Sequence, residues 1–486
     1  MKCSDYIAKR VKSEVDTVFG VTGGCVVNLV DSFHKAGLRI IPMHHEQSAA
    51  IAADAYARFK GFGVVFGTSG PGTTNMITGI ACSYYDSIPV LAIGGQVPEK
   101  YLNKCRDRQM GFQEVDGVEL LKPITKLSKR MNSQSYLEKS ILTAKSNRPG
   151  PVFLEICDDF QRKDLKENND YCSTGGDYNS EGLVYAGNAV ELVKNAKKPL
   201  VIVGAGAREM DLDLKVPFLF TWGIKDKYFD NYYCKGDFGI TGSPNGNRMI
   251  KESDLILMIG TKMDTHQCPD FSKFSNAYKI SMGLEFPHEV DMKVIGKLKN
   301  YSPLTIEGND WGVREENTTN SPAYNWIDKL CESSKEGDII IPDMGQIGCI
   351  AFQRWKPKKN QSLFNGMNHS PMGYSIPASI GATIATNRPV KVIIGDGSFM
   401  MNMHDLQTIK DYDLPIDVYV VNNGGYGMIR QTQNDWKQYL EQGIACNFKI
   451  PDIKLMANAF GIGDKVHEIK FEDTTIQPKW KYGNEL

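Results

Sequence analysis

The sequence has almost no net charge, since 56 Lys and Arg residues against 57 Asp and Glu residues give a formal net charge of -1 over 486 residues. A protein that binds nucleic acid through its phosphates usually carries a clear basic excess, so this balance argues against that class. The chain also lacks any run of about 18 apolar residues, and charges are spread through its first twenty residues. We therefore predict a soluble cytoplasmic protein without a transmembrane helix or a secretory signal peptide.

Cysteines at metal-binding spacing are also lacking. The 11 cysteines are odd in number and scattered, and none stand as Cys-X-X-Cys. This usage excludes a disulfide framework and a zinc site of the usual type and fits reduced thiols. With 41% apolar and 23% charged residues, 46 Gly and only 22 Pro, the composition is that of a globular protein, and the length suits about three domains.

The apolar pattern alternates between short buried strands and amphipathic or Ala-rich helices along most of the chain. In the first third, the run at 39–42 precedes an Ala-rich helical stretch at 46–60, and another apolar run follows at 64–66. Such alternation predicts α/β domains built on parallel, doubly wound sheets. We expect three of them, separated by polar linkers near 164–179 and 308–321. Their predicted bounds are 1–163, 184–308 and 322–486.

Two apolar strands in the third predicted domain end in polar residues that suit a metal site. The first is followed by Gly395-Asp396-Gly397-Ser398 and the second by Asn422-Asn423-Gly424-Gly425. Parallel strands would bring the Asp396 carboxylate and the Asn423 amide to one sheet edge, where a helix N-terminus attracts phosphate. Two such oxygens and a loop carbonyl suit Mg²⁺. Either motif alone reads more simply as a turn, but together they predict a metal-bridged diphosphate site.

This pair of motifs resembles the cofactor signature of thiamine diphosphate enzymes. The resemblance extends along nearly the whole chain to the superfamily of acetolactate synthase, pyruvate oxidase and 2-oxoacid decarboxylase, most of all to the synthase branch. The segments that carry it are 19–20, 23–24, 45–50, 55–58, 68–75, 95–98, 112–114, 125–126, 148–151, 345–346, 372–373, 377–378, 395–398, 422–425 and 427–428.

The resemblance implies thiamine diphosphate and Mg²⁺ as cofactors, with a pyrimidine-binding, a middle and a diphosphate-binding domain in chain order. Glu46 matches the glutamate that hydrogen-bonds the aminopyrimidine and so promotes loss of the thiazolium C2 proton. A solvated charge at a helix start is its simpler alternative. Met372 matches the apolar wedge under the cofactor, although Met also fills cores anywhere. The Ser370 carbonyl is expected to accept from the aminopyrimidine.

The other implied residues fall into three groups. Metal ligation is expected from Asp396, Asn423 and the Gly425 carbonyl. Further cofactor contacts are expected from Gln346, Gly395, Gly397, Ser398, Gly427 and Met428. The substrate pocket is expected to be lined by Gly23, Gln96, Phe112, Gln113, Lys126 and Thr432. For Phe112 and Met428, simple core packing is an equally good interpretation.

Three departures from the synthase pattern bear on function. The flavin-binding run of the family is replaced here by residues 260–266, and Lys262 stands where the family has an arginine. Residues 204–206 are only a fragment of a dinucleotide-binding fingerprint. For these reasons FAD is not expected. Thr432 stands where the synthases have a tryptophan. Only 58 residues follow Met428, so the segment that covers the site is short. We expect an open pocket that admits an acceptor larger than pyruvate.

The sequence as a whole predicts decarboxylation of a 2-oxoacid, with pyruvate as the first candidate, and transfer of the acyl-anion equivalent to a carbonyl acceptor. Simple decarboxylation to an aldehyde is the alternative within enzymes, and a catalytically silent homologue is the alternative outside them. The resemblance implies a homodimer or homotetramer with the active site between subunits. No nucleic-acid or membrane partner is expected.

Overall fold

The structure is a computed structural model that describes residues 1–103, 108–165, 181–268, 275–284, 290–435 and 449–477. Within these ranges the strands form three parallel sheets and one separate parallel pair. The predicted fold class, three parallel-sheet α/β units, is therefore confirmed. The strands of the three sheets lie at 17–157, 199–295 and 339–470, whereas the bounds of the domains stay predictions.

The first sheet has the strand order β2-β1-β3-β4-β6-β5. Its strands are β1 (Thr17–Gly20), β2 (Arg39–Pro42), β3 (Gly63–Gly67), β4 (Val90–Gln96), β5 (Leu127–Arg130) and β6 (Val152–Cys157). Its helices are α1 (Cys3–Lys12), α2 (Val27–Lys35), α3 (Glu46–Lys60), α4 (Pro71–Asn75), α5 (Ile77–Asp86), α6 (Gly117–Leu121), α7 (Gln134–Lys145) and α8 (Asp158–Gln161).

The second sheet has the order β10-β9-β7-β11-β12-β13, and β14 pairs separately with β8. The strands are β7 (Pro199–Val203), β8 (Leu212–Lys215), β9 (Phe218–Phe220), β10 (Cys234–Gly236), β11 (Leu255–Ile259), β12 (Tyr278–Gly283), β13 (Met292–Ile295) and β14 (Leu304–Glu307). The helices are α9 (Glu181–Asn195), α10 (Lys225–Tyr228) and α11 (Pro244–Glu252). The predicted linker at 308–321 contains neither helix nor strand, whereas most of the one at 164–179 lies outside the described residues.

The third sheet has the order β16-β15-β17-β18-β19. Its strands are β15 (Ile339–Pro342), β16 (Ser362–Leu363), β17 (Val390–Gly395), β18 (Ile416–Asn422) and β19 (Val466–Lys470). Its helices are α12 (Pro322–Ser333), α13 (Gln346–Arg354), α14 (Ser375–Thr386), α15 (Asp396–Asn402), α16 (Leu406–Asp411), α17 (Gly427–Asp435) and the helix Ile453–Ala459. Short 3₁₀ turns lie at Gly24–Val26, Glu99–Tyr101, Lys122–Ile124, Ala205–Ala207, Trp222–Ile224, Leu298–Tyr301 and Met403–Asp405.

The first and third units pack together through α3 and α14. The many alanines of α3 leave little side chain between the two helices, and Gly381 of α14 lies so close that a Cβ there would stand 2.0 Å from the Ala52 carbonyl oxygen. Buried polar groups reinforce this contact, because Arg58 pairs with Asp54 at 2.9 Å and the Tyr374 hydroxyl donates to Asp54 at 2.6 Å. The middle of α3 is thus held rigidly against the third unit.

Among the described residues, every helix is too short or too polar to cross a membrane.

Candidate active site

Glu46 is the first residue of α3 and lies at the carboxyl-end edge of the first sheet, four residues after β2. The His45 side chain accepts from the Gln47 N–H at 3.1 Å and so caps the helix. Glu46 is 8% exposed, and its Oε2 accepts from Asn75 Nδ2 at 2.9 Å. The carboxylate is therefore shielded and oriented, which the solvated alternative does not predict. Its catalytic role stays a prediction.

The loops around Glu46 bring several predicted pocket residues to the same edge. Gly70, with φ of 59°, follows β3, and a Cβ there would stand 2.6 Å from the Gln113 carbonyl oxygen. Gln113 itself has φ of 58°, and Phe112 beside it is 86% exposed. Gly23 lies against Thr68, whose Cβ would stand 2.6 Å from a Cβ at that glycine. The structure thus rejects core packing for Phe112 and leaves its pocket role a prediction.

Gln96 lies at the same edge, but its side chain forms hydrogen bonds with groups in the protein interior. Its Nε2 donates to the Val115 carbonyl at 2.7 Å and to Glu155 Oε1 at 2.9 Å, while its Oε1 accepts from the Val97 N–H at 2.9 Å. Gln96 is 1% exposed. Burial raises the pKa of Glu155, and the Arg130 guanidinium opposes this shift. The Gln96 side chain is thus engaged within the protein, and its place in the substrate pocket stays a prediction.

Lys126 lies at the opposite edge of the first sheet. It directly precedes β5, whose first residue pairs with the first residue of β6, so it stands at the amino end of both strands. Its Nζ donates to the Thr143 carbonyl and, at 2.6 Å, to the Ser146 carbonyl, near the end of α7. Burial lowers the pKa of Lys126 to about 8. Lys126 thus caps the end of α7, and its place in the substrate pocket stays a prediction.

Asp396 begins α15 at the carboxyl end of β17, as the sequence predicts. Its Oδ1 accepts from the Gly397 N–H at 2.7 Å and its Oδ2 from the Gly425 N–H at 2.8 Å. Gly424 and Gly425 have φ of 75° and 123°, values that L side chains rarely adopt. Burial raises the pKa of Asp396, while these backbone N–H groups act to lower it. The loop after β18 is thus bound directly to this carboxylate.

Asn423 follows β18 and joins a group of side chains that we name the amide cluster: Gln346, Asn423, Gln431 and Thr474. Asn423 Nδ2 donates to Thr474 Oγ1 at 2.7 Å, and that hydroxyl donates to Gln346 Oε1. Gln346 Nε2 in turn donates to Gln431 Oε1 at 2.7 Å. Sequence reasoning missed Thr474 and Gln431.

The amide cluster explains why position 427 is glycine. A Cβ on Gly427 would stand 2.1 Å from Gln346 Oε1 and 2.4 Å from Asn423 Nδ2. The Gly427 N–H also donates to the Gly425 carbonyl at 2.9 Å. The side chain of Gln346 is 6% exposed and held by two partners of the cluster, so its first role is to support Asn423. Its predicted contact with diphosphate stays a prediction.

Met372 lies over Gly397, since its Cε would stand 3.5 Å from a Cβ at that glycine. Asp343, which follows β15, fixes this turn: its Oδ1 accepts from the Gly373 N–H at 2.9 Å and its Oδ2 from the Ser375 N–H at 2.8 Å. Asp343 is fully buried, and burial raises its pKa. Asp343 is a further residue that sequence reasoning missed.

Ser370 precedes Met372 in an exposed loop and has φ of 57°. Its hydroxyl donates to the Met367 carbonyl, and its N–H donates to the Gly366 carbonyl at 2.7 Å. Asn368 anchors the loop to the first unit through Asp86 Oδ1, 2.7 Å from its Nδ2. The predicted contact of the Ser370 carbonyl with the aminopyrimidine stays a prediction.

The remaining predicted residues lie on β17, α15 and α17. Ser398 is 3% exposed, and its hydroxyl donates to the Met344 carbonyl at 3.4 Å. A Cβ on Gly395 would meet no atom within 4 Å, so the space beside it is open. Met428 and Thr432 are half-buried and lie one turn apart on α17.

The donor set at this edge fits Mg²⁺ and a diphosphate. Asp396 supplies a carboxylate, Asn423 an amide whose Nδ2 is already engaged so that its Oδ1 is available, and Gly425 a carbonyl. Hard oxygens of this kind, completed by phosphate and water, form the octahedron that Mg²⁺ prefers. The adjacent start of α15 favours negative charge, and the open space at Gly395 leaves room for it.

Within one chain, the C-terminal end of α15 contacts α3. Asn402 Nδ2, at the last residue of α15, donates to Ser48 Oγ at 2.8 Å, two residues after Glu46. Asp396 is the first residue of the same helix, so it stands about 9 Å along the helix axis from that contact. The contact between the two units therefore does not bring Asp396 up to Glu46.

In the middle unit, the 204–206 turn packs directly on Gly260. A Cβ on Gly204 would stand 2.4 Å from the Gly260 carbonyl oxygen, and the Gly206 N–H donates to that oxygen at 3.0 Å. This N–H is thus engaged within the protein. That the chain does not use FAD stays a prediction.

Each of the three units matches a domain of one family of proteins. The N-terminal TPP-binding domain of thiamine pyrophosphate enzymes matches residues 1–120, their central domain matches 187–299, and their C-terminal TPP-binding domain matches 343–477. The chain therefore belongs to the thiamine pyrophosphate enzymes.

Within this family the chain is similar to acetolactate synthase large subunits. It is 30% identical to the isozyme 2 large subunit of Escherichia coli strain K12, over 95% of this chain and 90% of that protein. It is 28% identical to a probable large subunit of Methanococcus aeolicus, over 95% and 87% of the two chains. It is also 28% identical to the large subunit of Lactococcus lactis, over 92% and 85%.

Proposed function

We propose that this protein uses thiamine pyrophosphate and Mg²⁺ to decarboxylate a 2-oxoacid, with pyruvate as the first candidate, and transfers the acyl-anion equivalent to a carbonyl acceptor. The observation that carries this proposal is that a shielded, oriented Glu46 and an Asp396–Asn423–Gly425 oxygen set occur together in one chain of this family. The similarity to acetolactate synthase large subunits supports the transfer step.

We assign the predicted domains their roles on the same basis. Residues 1–163 bind the aminopyrimidine, 184–308 form a middle domain without flavin, and 322–486 bind the diphosphate. Asp396, Asn423 and the Gly425 carbonyl would hold Mg²⁺, whose positive charge would favour binding of the diphosphate. The start of α15, with Gly395, Gly397 and Ser398, faces the phosphate charge.

When bound, the cofactor supplies the carbanion chemistry, and the protein supplies position and proton transfer. Glu46 would hold or release a proton at a carboxylate oxygen facing the aminopyrimidine, and the hydrogen bond from Asn75 fixes the orientation of this carboxylate. Met372, which Asp343 holds over Gly397, would give the bound cofactor apolar support. Phe112, exposed beside Gln113, limits the access of water to the reacting atoms.

The site is completed by a second copy of the chain. Asp396 stands at the end of α15 that points away from α3 of its own chain, whereas Glu46 lies at the edge of the first sheet. A symmetric dimer allows the Glu46 face of one protomer to meet the Asp396 edge of the other, and does so twice. An isolated chain would have two half-sites.

Simple decarboxylation is the second candidate function. The observation that favours it is Thr432, a short and half-buried side chain one turn after Met428 on α17. A short side chain here leaves space for water, which can deliver a proton where a synthase captures an acceptor. Ligation and protonation then compete at one site.

The proposal is tested by CO₂ release from pyruvate with thiamine pyrophosphate and Mg²⁺, with products identified by mass spectrometry. We expect cofactor-dependent release that Glu46→Gln abolishes while cofactor binding persists. Acetolactate or another adduct would establish ligation, and acetaldehyde in proportion to CO₂ would establish simple decarboxylation. No release from pyruvate or from larger 2-oxoacids, despite cofactor binding, would contradict the proposal and indicate a silent homologue.

A further inference from the structure

Residues 473–477, which we name the C-terminal segment, lie at the edge of the third sheet where Asp396 and Asn423 are found. Thr474 is 3% exposed and stands between Asn423 and Gln346. Ile476 is fully buried and pairs through its backbone with Gln431. A further hydrogen bond holds the last residue of the segment, since the Gln477 N–H donates to the Tyr324 hydroxyl at 2.7 Å.

The backbone of Ile476 determines which atoms donate and which accept in the hydrogen bonds of the amide cluster. A backbone N–H can only donate, and that of Ile476 donates to Gln431 Oε1 at 3.1 Å. This end of Gln431 is therefore its carbonyl oxygen. Gln431 Nε2 correspondingly donates to the Ile476 carbonyl at 3.3 Å. The backbone of Ile476 thus determines the orientation of the Gln431 amide.

The orientation of Gln431 in turn determines the orientation of Gln346 and the donor role of Thr474. Because Gln431 presents an oxygen to Gln346, Gln346 must turn its Nε2 toward it, at 2.7 Å. Gln346 then presents Oε1 to Thr474, and the single hydroxyl proton of Thr474 is donated to that oxygen. With its proton engaged, Thr474 Oγ1 can only accept from its other neighbour.

That other neighbour is Asn423, which therefore turns Nδ2 toward Thr474, at 2.7 Å. The opposite atom of the amide, Oδ1, is left for the cation. In the reversed orientation, Asn423 would present an N–H group to Mg²⁺ and an oxygen to an oxygen that has no proton to give. The close contacts of both amides with Gly427 leave them little room to move aside.

We propose that Thr474 is a positioning residue for the metal site, and that the C-terminal segment, through Ile476 and Thr474, fixes the Asn423 amide in the orientation that binds Mg²⁺. This inference rests on the proposed function, in which Asn423 is a metal ligand. It assigns a role to the short C-terminal segment that no motif of the sequence indicates.

The test is a calorimetric titration of Mg²⁺ into the full-length protein in the presence of thiamine pyrophosphate. Thr474→Val keeps the volume but neither accepts from Asn423 nor donates to Gln346. We expect its dissociation constant for Mg²⁺ to rise about tenfold, because one of the two lost hydrogen bonds, that from Asn423, orients the metal-binding amide, and one hydrogen bond of ordinary strength has about this effect. At saturating Mg²⁺, kcat should return close to the wild-type value.

Thr474→Ser retains the hydroxyl, so its Mg²⁺ affinity should stay near that of the wild type. The matched control is Thr475→Val, because the hydroxyl of Thr475 makes no hydrogen bond within the described residues. If Thr474→Val proves too unstable to purify, Thr474→Ala in the same titration takes its place. Fold stability of every variant is compared by thermal unfolding without Mg²⁺.

Wild-type affinity for Mg²⁺ in Thr474→Val, or equal weakening in Thr474→Ser and Thr474→Val, would overturn the inference. A wild-type protein that binds neither thiamine pyrophosphate nor Mg²⁺ would instead contradict the proposed function itself. The two failures are thus distinguished by the wild-type titration.

Discussion

Asn75 Nδ2 donates to Glu46 Oε2 across 2.9 Å and thereby joins the last residue of α4 to the first residue of α3. These helices follow different strands of the first sheet, and both begin at its carboxyl-end edge. The bond restricts the rotation of a carboxylate that is only 8% exposed. Asn75 is therefore the immediate support of the proposed catalytic group.

We predict that Asn75→Ala lowers kcat about tenfold or more, because a hydrogen bond to a charged group contributes about 1.5–3 kcal/mol. Cofactor affinity should change little, since the diphosphate is held elsewhere. Steady-state rates of CO₂ release and cofactor titration measure the two effects. An unchanged kcat in a folded Asn75→Ala protein would show that Glu46 needs no such support.

Asp343→Asn should loosen the turn that carries Met372. The carboxylate accepts two backbone N–H groups and the Ser375 hydroxyl, and an amide would direct an N–H group at one of them. We expect a loss of about 1–3 kcal/mol in the free energy of unfolding and weaker cofactor binding.

The matched control is Asp338→Asn, at the other end of β15, where the carboxylate accepts from the Lys335 N–H at 2.9 Å. Denaturant unfolding should show that both variants are destabilised, but only Asp343→Asn should raise the dissociation constant of thiamine pyrophosphate. Equal cofactor affinities in the two variants would contradict a role for Asp343 beyond stability.

Phe112→Ala should cost little folding stability, because the ring is 86% exposed in the single chain. If the ring faces substrate in the dimer, KM for the 2-oxoacid should rise severalfold. Lys126→Met is the contrasting variant, since Lys126 caps α7 at the opposite edge and should leave KM unchanged. A raised KM in Lys126→Met with no change in Phe112→Ala would reverse our placement of the pocket.

Gly427→Ala should weaken Mg²⁺ binding, because the added methyl group would stand 2.1 Å from Gln346 Oε1 and 2.4 Å from Asn423 Nδ2. Gly187→Ala is the control: Gly187 lies in α9, and a Cβ there meets no atom within 4 Å. It should stabilise the helix by up to about 1 kcal/mol. Calorimetric titration with Mg²⁺ compares the two, and equal affinities would contradict the steric role of Gly427.

The stability of the protein should depend on pH through Asp405. This residue is fully buried, and burial raises its pKa to about 7, while His404 Nε2 lies 3.7 Å from its Oδ1. Between about pH 4, where an unfolded Asp ionises, and about pH 7, the folded chain holds a proton that the unfolded chain has lost. This contribution to the free energy of unfolding is therefore present at low pH and is lost as the pH rises through that window.

Asp405→Asn removes this dependence. We expect the melting temperature of the variant, relative to the wild type, to increase between pH 5 and pH 7.5 and then to level off. Burial lowers the pKa of His404, which gives a stability change of opposite sign, but that contribution is present in both proteins. Differential scanning calorimetry at several pH values makes the comparison, and parallel melting curves would contradict a proton on Asp405.

The sequence was sufficient for those parts of the fold and site that depend on local pattern. Asp396 and Asn423 each follow a buried strand, and parallel strands place such residues at one edge. The helix predicted at 46–60 is the observed α3, because alanines favour helix and Gly61 ends it.

The sequence did not reveal which matched residues are engaged within the protein. Gln96 is the last residue of β4 and thus lies at the carboxyl-end edge, yet buried Glu155 takes up its amide. Lys126 precedes its strand, a signal that already indicates the opposite edge. Thr474 lies 51 residues after Asn423, and no local pattern links two positions so far apart in the chain.

The central claim, that Glu46 of one chain acts on cofactor held by Asp396 of another, is tested most directly by mixed dimers. Glu46→Gln and Asp396→Asn chains are coexpressed with different affinity tags, and the mixed dimer is purified and assayed for cofactor-dependent CO₂ release. Each variant alone should be inactive, whereas the mixed dimer, with one intact site of two, should retain about half of the wild-type activity. A mixed dimer as inactive as its parents would contradict the shared site and place both residues in one chain.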